Sequence, residues 1–348
     1  MNDIFRLIDK LEENHSLTKA EYITLINGRN SVTTAYLREK ALAVREKVYG
    51  KKVFIRGLIE ISNICKNDCY YCGIRKSNTL CERYRLTTEE ILECCSYGYT
   101  VGFRTFVLQG GEDGFYTDEI LCELIKNIKE RYSDCAVTLS LGERSRESYK
   151  KLKEAGADRY LLRHEAVNDT LYKSLHPEKM SLKNRLECLD NLKKLGYQVG
   201  CGFMVGAPGQ NSEHIAEDLK FIEEFKPDMC GIGPFIPHKN TIYKNESAGS
   251  PELSCYLLSI IRLIHPAILL PATTALGTIS ENGRENGILS GANVVMPNLS
   301  PENARLKYEL YDNKLSTGAE NASELEKLRE KIKNIGYEIV TERGDIIK

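Results

Sequence analysis

The chain has 348 residues, 42% of them apolar, and a formal net charge of -1. That is enough for one large domain or two ordinary ones, and near-neutrality excludes the basic footprint of a nucleic-acid or anionic-membrane binder. The start, Met1-Asn2-Asp3-Ile4-Phe5-Arg6, has no basic run leading into an apolar one, so no secretory leader is expected.

The first 50 residues read as helical. Ile4, Leu7, Ile8 and Leu11 recur at helix spacing, Ser16 is placed to cap a second helix from about Leu17, and Gly50 ends a third, over 32–49. The period then changes. Residues 53–60 predict a strand, and a cysteine-rich loop follows it. Further strands are expected at 105–108, 136–141, 159–162, 198–205, 229–232, 268–272 and 292–296. Between them lie amphipathic stretches such as 88–97, 117–132, 181–195, 212–225 and 251–264. Eight alternating units predict an α/β fold, a parallel (β/α)8 TIM-type barrel. A six-strand partial barrel with two appended strands is the alternative. Either way, function is expected at the C-terminal ends of the strands.

The expected organisation is an N-terminal helical extension over 1–50, a barrel over 51–300 and a short C-terminal extension over 301–348. In the last, 323–335 predicts a helix and 338–341 a short strand. The segment beyond about Ser316 is expected to pack on the barrel's lower rim or side. The most apolar window, from Cys255 to Ala275, contains Arg262, His265, Pro266 and Pro271. It suits a buried helix followed by a strand better than a membrane span.

Twelve cysteines in a chain of this length without a leader point to thiols in a reducing, anaerobic cytoplasm rather than to disulfides. Nine of them, Cys81, Cys94, Cys95, Cys122, Cys135, Cys188, Cys201, Cys230 and Cys255, read as small buried apolar residues. The other three, Cys65, Cys69 and Cys72, carry chemistry. Their spacing is Cys-x3-Cys-x2-Cys, and no fourth cysteine or histidine follows at ligand spacing. A structural zinc site needs four protein ligands, and a self-contained electron carrier usually takes four thiolates. Three thiolates on one tight loop instead suit a cubane iron–sulfur cluster with one iron open to a ligand. A Cys-x-x-Cys redox pair is the alternative, but it leaves Cys65 without a role.

Other residues gather at predicted strand ends. Gln109-Gly110-Gly111-Glu112 ends the second strand, where two glycines let backbone approach a ligand closely; an ordinary glycine-rich turn would look the same. Thr138 and Ser140 share one face of the third strand, and Arg163 and Glu165 share one face at the end of the fourth. A barrel interior normally takes branched apolar residues, so these charges read as ligand contacts, or as an ion pair closing the barrel top. Thr273 and Thr274 end the seventh strand, and their hydroxyls suit an anionic or carbonyl-rich ligand. Met204 is equally readable as core filler. His164, His176 and His238 read as hydrogen-bonded structural histidines.

The three-cysteine motif, with aromatic Tyr71 before its last cysteine, resembles that of the radical S-adenosylmethionine (SAM) enzymes. The runs Arg83-Tyr84-Arg85, Val107-Leu108-Gln109-Gly110-Gly111-Glu112-Asp113, Val137-Thr138-Leu139-Ser140-Leu141-Gly142-Glu143 and Tyr160-Leu161-Leu162-Arg163-His164-Glu165 are similar to those of the HydE group of FeFe-hydrogenase maturases. So are Met204-Val205-Gly206-Ala207-Pro208-Gly209-Gln210, Gly231-Ile232-Gly233-Pro234-Phe235-Ile236-Pro237-His238, Pro271-Ala272-Thr273-Thr274-Ala275 and Met296-Pro297-Asn298. The resemblance spans roughly 50–312.

It implies a 4Fe-4S cluster on Cys65, Cys69 and Cys72, whose open iron chelates the amino and carboxylate groups of SAM. It implies that Tyr71, Gln109, Gly110, Gly111, Glu112, Ser140, Glu165, Arg185, Met204 and Gly233 surround SAM. Thr138, Arg163, Thr273, Thr274, Met296 and Tyr308 would line a substrate cavity, with Tyr308 or Tyr311 closing its bottom or side. The implied partners are a small or organometallic iron substrate, an electron donor such as ferredoxin or flavodoxin, and other hydrogenase maturases. Some related maturases carry a second cluster near the C-terminus; no cysteine follows Cys255 here. Rival expectations are a methylornithine-synthase or biotin-synthase relative and, in another class, a non-catalytic iron–sulfur carrier.

Overall fold

Three helices lead into the first strand of the computed structural model, which describes residues 2–315 and 322–347. They are α1 (Asn2–Asn14), α2 (Lys19–Asn27) and α3 (Ser31–Tyr49). Thr18, rather than Ser16, caps α2: its hydroxyl accepts from Glu21 N–H while the Glu21 carboxylate takes the Thr18 N–H. Asn30 caps α3 in the same reciprocal way with Thr33.

The strands follow as β1 (Lys52–Ile55), β2 (Gly57–Ser62), β3 (Thr105–Gly110), β4 (Ala136–Ser140), β5 (Arg159–Leu161), β6 (Gln198–Cys201), β7 (Met204–Val205), β8 (Met229–Cys230), β9 (Gly233–Pro234), β10 (Val294–Val295) and β11 (Glu338–Val340). Helices α4 (Thr88–Thr100), α5 (Asp118–Arg131), α6 (Arg146–Glu154), α7 (Asp169–Leu175), α8 (Leu182–Lys194), α9 (Ser212–Phe225) and α10 (Pro251–Ile264) lie between them. Short helices α11 (Thr274–Ile279), α12 (Gly283–Ile288) and α13 (Glu302–Arg305) follow, and α14 (Leu325–Asn334) precedes β11.

Six parallel strands lie side by side in the order β2-β3-β4-β5-β6-β8. Single parallel bridges complete the ring: Met229 to Leu269, Pro271 to Val294, and Asn298 back to Leu58. Backbone bonds support each step, among them Cys230 N–H to Leu269 O at 3.1 Å and Leu58 N–H to Pro297 O at 2.9 Å. Eight chain segments thus close a (β/α)8 barrel, two of them only bridge-length. Pro271 explains part of this, because it has no N–H to give a ladder.

Two predicted strands are split. The 198–205 segment breaks at Gly202 and Phe203; β7 resumes beyond the break and pairs with β9 in the same register in which β6 pairs with β8. The 53–60 segment breaks at Arg56: its lower half, β1, pairs with β10 and β11, and its upper half, β2, pairs with β3.

The apolar faces of the surrounding helices and the outward residues of the strands form one large core, including Ile59, Ile61, Leu108, Leu139, Leu192 and Leu219. The C-terminal tail seals the barrel floor. Arg159, fully buried, donates to Thr105 Oγ1 at 2.9 Å, to Arg343 O at 2.9 Å and to Asp345 Oδ1 at 2.6 Å. Positions 316–321, the start of the segment expected to pack on the barrel's lower rim or side, lie outside the described residues.

Candidate active site

The loop after β2 is pinned from all sides. The Arg83 guanidinium donates to the carbonyls of Asn63, Ile74, Arg75 and Asn78 at 2.6–3.1 Å. Lys66 N–H reaches Glu112 O at 3.0 Å, Tyr70 N–H reaches Leu175 O at 2.9 Å, and Gly73 N–H reaches Leu310 O at 2.8 Å. Gly111 has no room for a side chain: a Cβ there would sit 2.3 Å from Ile64 O and 2.8 Å from Cys65 Cβ. Glycine at this strand end is therefore what lets the loop seat against the barrel.

Cys65, Cys69 and Cys72 all line one cavity of about 340 Å³ at the C-terminal ends of the strands. Burial raises all three thiols, and for Cys69 and Cys72 their neighbours' charges add to it; Cys72 is pushed up to about 12. Such thiols stay protonated until a metal displaces the protons. Among the described residues, no three donors converge closely enough for a single ion. Three cysteines from one short loop that all line one cavity supply three of the four thiolates a cubane takes, and leave one iron for another ligand. The donor set fits a 4Fe-4S cluster.

Tyr71, on the same loop, stands edge-on to His176 at 5.6 Å, and His176 stacks on Tyr172 at 4.0 Å. The Cys69 Sγ lies 3.8 Å from Met180 Sδ. An apolar and aromatic shell therefore wraps the loop's inner side and limits water there.

The strand ends supply the other walls. Parallel register puts Glu60, Gln109 and Ser140 abreast on β2, β3 and β4. The Glu112 carboxylate bridges Lys66 Nζ at 3.0 Å and Glu143 N–H at 3.1 Å, tying the cysteine loop to the turn after β4. Arg163 and Glu165 project together, Nη2 to Oε2 at 3.1 Å, without the angle of a hydrogen bond. Arg185 is buried; its Nε meets Glu143 at 2.6 Å and its Nη1 meets Arg163 O at 2.5 Å, which holds it firmly charged. Met204 and Gly233 sit abreast where β7 pairs with β9.

Of the residues expected at the site, the cavity lining gathers Tyr71, Gln109, Gly110, Gly111, Glu112, Ser140, Arg163, Glu165, Arg185, Met204, Gly233, Thr273, Thr274, Met296, Tyr308 and Tyr311 with the three cysteines. Thr138 is not part of it. One layer below Ser140, its hydroxyl is buried and has no hydrogen-bond partner. Thr273 and Thr274 differ in setting from expectation: they start α11 instead of ending a strand, and the Thr273 hydroxyl is likewise buried without a partner.

Two charged groups at the site were not foreseen. Glu60, fully buried, forms an ion pair with Lys314, which lines the cavity. Asn298 Nδ2 donates to its other oxygen at 2.9 Å, and Ser300 Oγ accepts its N–H at 2.7 Å. A signal for Glu60 was present, since Arg56 and Glu60 are four apart in the predicted 53–60 strand and would share one of its faces. Nothing local announced Lys314.

A family model described as the Radical SAM superfamily matches residues 59–222. The [FeFe] hydrogenase maturase subunit HydE of Thermotoga maritima is 48% identical over 272 residues, 78% of this chain and 77% of that protein. The 3-methylornithine synthase of Methanosarcina acetivorans is 28% identical over 307 residues, 88% of this chain and 86% of that protein. A crystal structure of methylornithine synthase superposes with a TM-score of 0.82 at 26% identity, covering 96% of this chain and 97% of that one. With the three-cysteine loop opening into a closed parallel barrel, these likenesses place the chain in the radical SAM superfamily, as a member of the HydE family.

Proposed function

We propose that this chain is a radical SAM maturase that acts on a small ligand inside its barrel during assembly of the diiron cluster of FeFe-hydrogenase. The observation that carries the reading is the opening of Cys65, Cys69 and Cys72 into the same cavity as Arg163 and Glu165, in a chain 48% identical to a HydE. A non-catalytic carrier needs the thiolates but not the charged cavity. When bound, the 4Fe-4S cluster supplies the electron that splits SAM into methionine and a 5′-deoxyadenosyl radical.

The chain's own residues bind, orient and shield. Cys65, Cys69 and Cys72 hold the cluster. The 109–112 turn meets the methionine amino group, Arg185 its carboxylate and Glu165 the ribose or methionine portion. Met204 and Gly233 flank the adenine. Arg163, Thr273, Thr274, Met296 and Tyr308 face the substrate, an organometallic iron–cysteine–carbonyl–cyanide precursor attacked at sulfur. Thr138 contributes from beneath. Residues 1–50 and 301–348 are extensions packed on a 51–300 barrel. A ferredoxin or flavodoxin donates the electron, and other maturases take the product, in the cytoplasm. No helix among the described residues is long and apolar enough to cross a membrane.

Anaerobic reconstitution with iron, sulfide, reductant and SAM tests the reading. Deoxyadenosine should form, and faster with the organometallic precursor than with an ornithine-type amino acid or dethiobiotin. Cluster loading without SAM binding would leave the carrier reading instead.

A further inference from the structure

Between Arg163 and Glu165 stands His164, whose side chain turns the other way. Strand alternation sends it out of the cavity, into the seam beneath α9, where it meets Asp218. Both are fully buried. The imidazole Nε2 lies 3.2 Å from Asp218 Oδ1. Gly202 N–H donates to the other ring nitrogen, Nδ1, at 3.3 Å, so the ring proton belongs on Nε2, facing the carboxylate. Phe221 and Phe203 enclose the ring at 4.8 and 5.9 Å.

What this pair touches is backbone, on both sides of Glu165. Asp218 Oδ1 accepts from Val167 N–H at 2.8 Å. Gly202, held by His164, gives its carbonyl to Glu165 N–H at 3.0 Å. Gly202 itself is irreplaceable there: its φ is +150°, and a Cβ would fall 2.0 Å from Gly231 O. Glu165 O then receives Met204 N–H at 3.4 Å. Inside this clamp Glu165 has φ +63°, a left-handed conformation that a glutamate rarely adopts. Strain of that kind persists only where the surroundings over-determine it, and it gathers at functional sites.

The pair is also expensive. Asp218 Oδ2 has no hydrogen-bond partner, and neither has His164 Nε2, whose 3.2 Å contact with Oδ1 is off-line. A buried carboxylate with an unsatisfied oxygen is a poor way to add stability, and an apolar pair would fill the space at lower cost.

We propose that His164 and Asp218 are positioning residues that hold Glu165 in its left-handed conformation and so set the carboxylate that SAM meets. The proposal rests on the reading of Glu165 as a SAM contact. His164 and Asp218 touch neither SAM nor the cluster. They act through the main chain of residues 165–167 and 202–204.

The test is SAM affinity, measured by calorimetry on cluster-loaded Asp218→Asn and His164→Gln, beside iron content, melting temperature and a crystal structure of each variant. Asparagine keeps the volume and the acceptor for Val167 while removing the charge. The expected result is iron content unchanged, affinity for SAM weaker by about tenfold or more, and residue 165 relaxed from positive φ. If both variants melt earlier yet bind SAM within about twofold of the parent, the pair is structural and the proposal falls. If Asp218→Asn fails to load iron, His164→Gln decides by the same criteria. Glu165→Gln separates the two readings. Unchanged SAM affinity there removes Glu165 from the SAM site. Weakened affinity in Glu165→Gln with none in the pair variants removes only the positioning role.

Discussion

Lys314, from the segment after the barrel, places its ammonium on the carboxylate of Glu60, deep in the first barrel strand. It also donates to Tyr308 O at 3.0 Å and lies 4.8 Å from the centre of the Tyr308 ring. One buried charge is thus answered by a residue 254 positions away. Lys314→Met should leave the buried Glu60 without its cation, with only the Asn298 amide on its carboxyl, at a cost of about 3–5 kcal/mol. Pairing it with Glu60→Gln should recover most of that. Thermal melting of the three variants checks this; a single variant as stable as the parent would contradict it.

Replacing Cys65, Cys69 or Cys72 by Ala should abolish the cluster. The parent should hold about four irons per chain and show a reduced-cluster EPR signal that changes with SAM. Iron analysis and EPR decide. A triple variant with full iron and SAM cleavage would sink the assignment.

SAM affinity should depend more on Glu165 and Arg185 than on Arg163. Loss of one charge-assisted contact costs about 1.5–3 kcal/mol, or about 10–100-fold in affinity. Arg185→Ala carries an added loss because Glu143, its 2.6 Å partner, is left with no cation and only the Asn184 amide as a side-chain partner. Equal weakening by Arg163→Ala and Arg185→Ala in a binding titration would be the contrary result.

His176 carries a pH prediction. Burial and the nearby Arg185 depress its pKa from 6.5 to about 3. A base depressed on folding stabilises fully above its unfolded value, and that contribution fades as pH falls from about 6.5 toward about 3. His176→Phe keeps a ring against Tyr71 and Tyr172 but cannot titrate. Its urea midpoint should therefore fall less than the parent's between about pH 7.5 and about pH 5. Parallel curves would show that His176 is not the group responsible.

Removing the tail from Glu338 onward should lower the melting temperature, since Arg159 would lose Asp345 and β1 would lose its partner β11. Deoxyadenosine formed per folded, cluster-loaded molecule should stay within a few-fold of the parent, because the chemistry sits at the other end of the barrel. A folded truncation that binds SAM but makes none would show that the tail reaches the active site.

Much of this architecture was legible because helix and strand periods differ. The expected helices over 212–225 and 251–264 match α9 and α10 residue for residue. Strand ends were harder, since a bend or a bridge leaves no periodic trace. The break at Gly202 depends on the close approach of Gly231, and the seventh strand reduces to Leu269 and Pro271. The cavity lining was readable wherever a polar residue stood at a strand's C-terminal end, as at Gln109, Ser140, Arg163 and Glu165. Lys314 stood on no such element, and its partner is fixed only by the folded path of the chain.

The tail acts as a stopper. Arg343 and Asp345, held to Arg159, close the end of the barrel opposite the strand ends where Cys65, Cys69 and Cys72 line the cavity. Floor and cavity are thus built from the two ends of the same strands, by stretches of chain far apart in sequence.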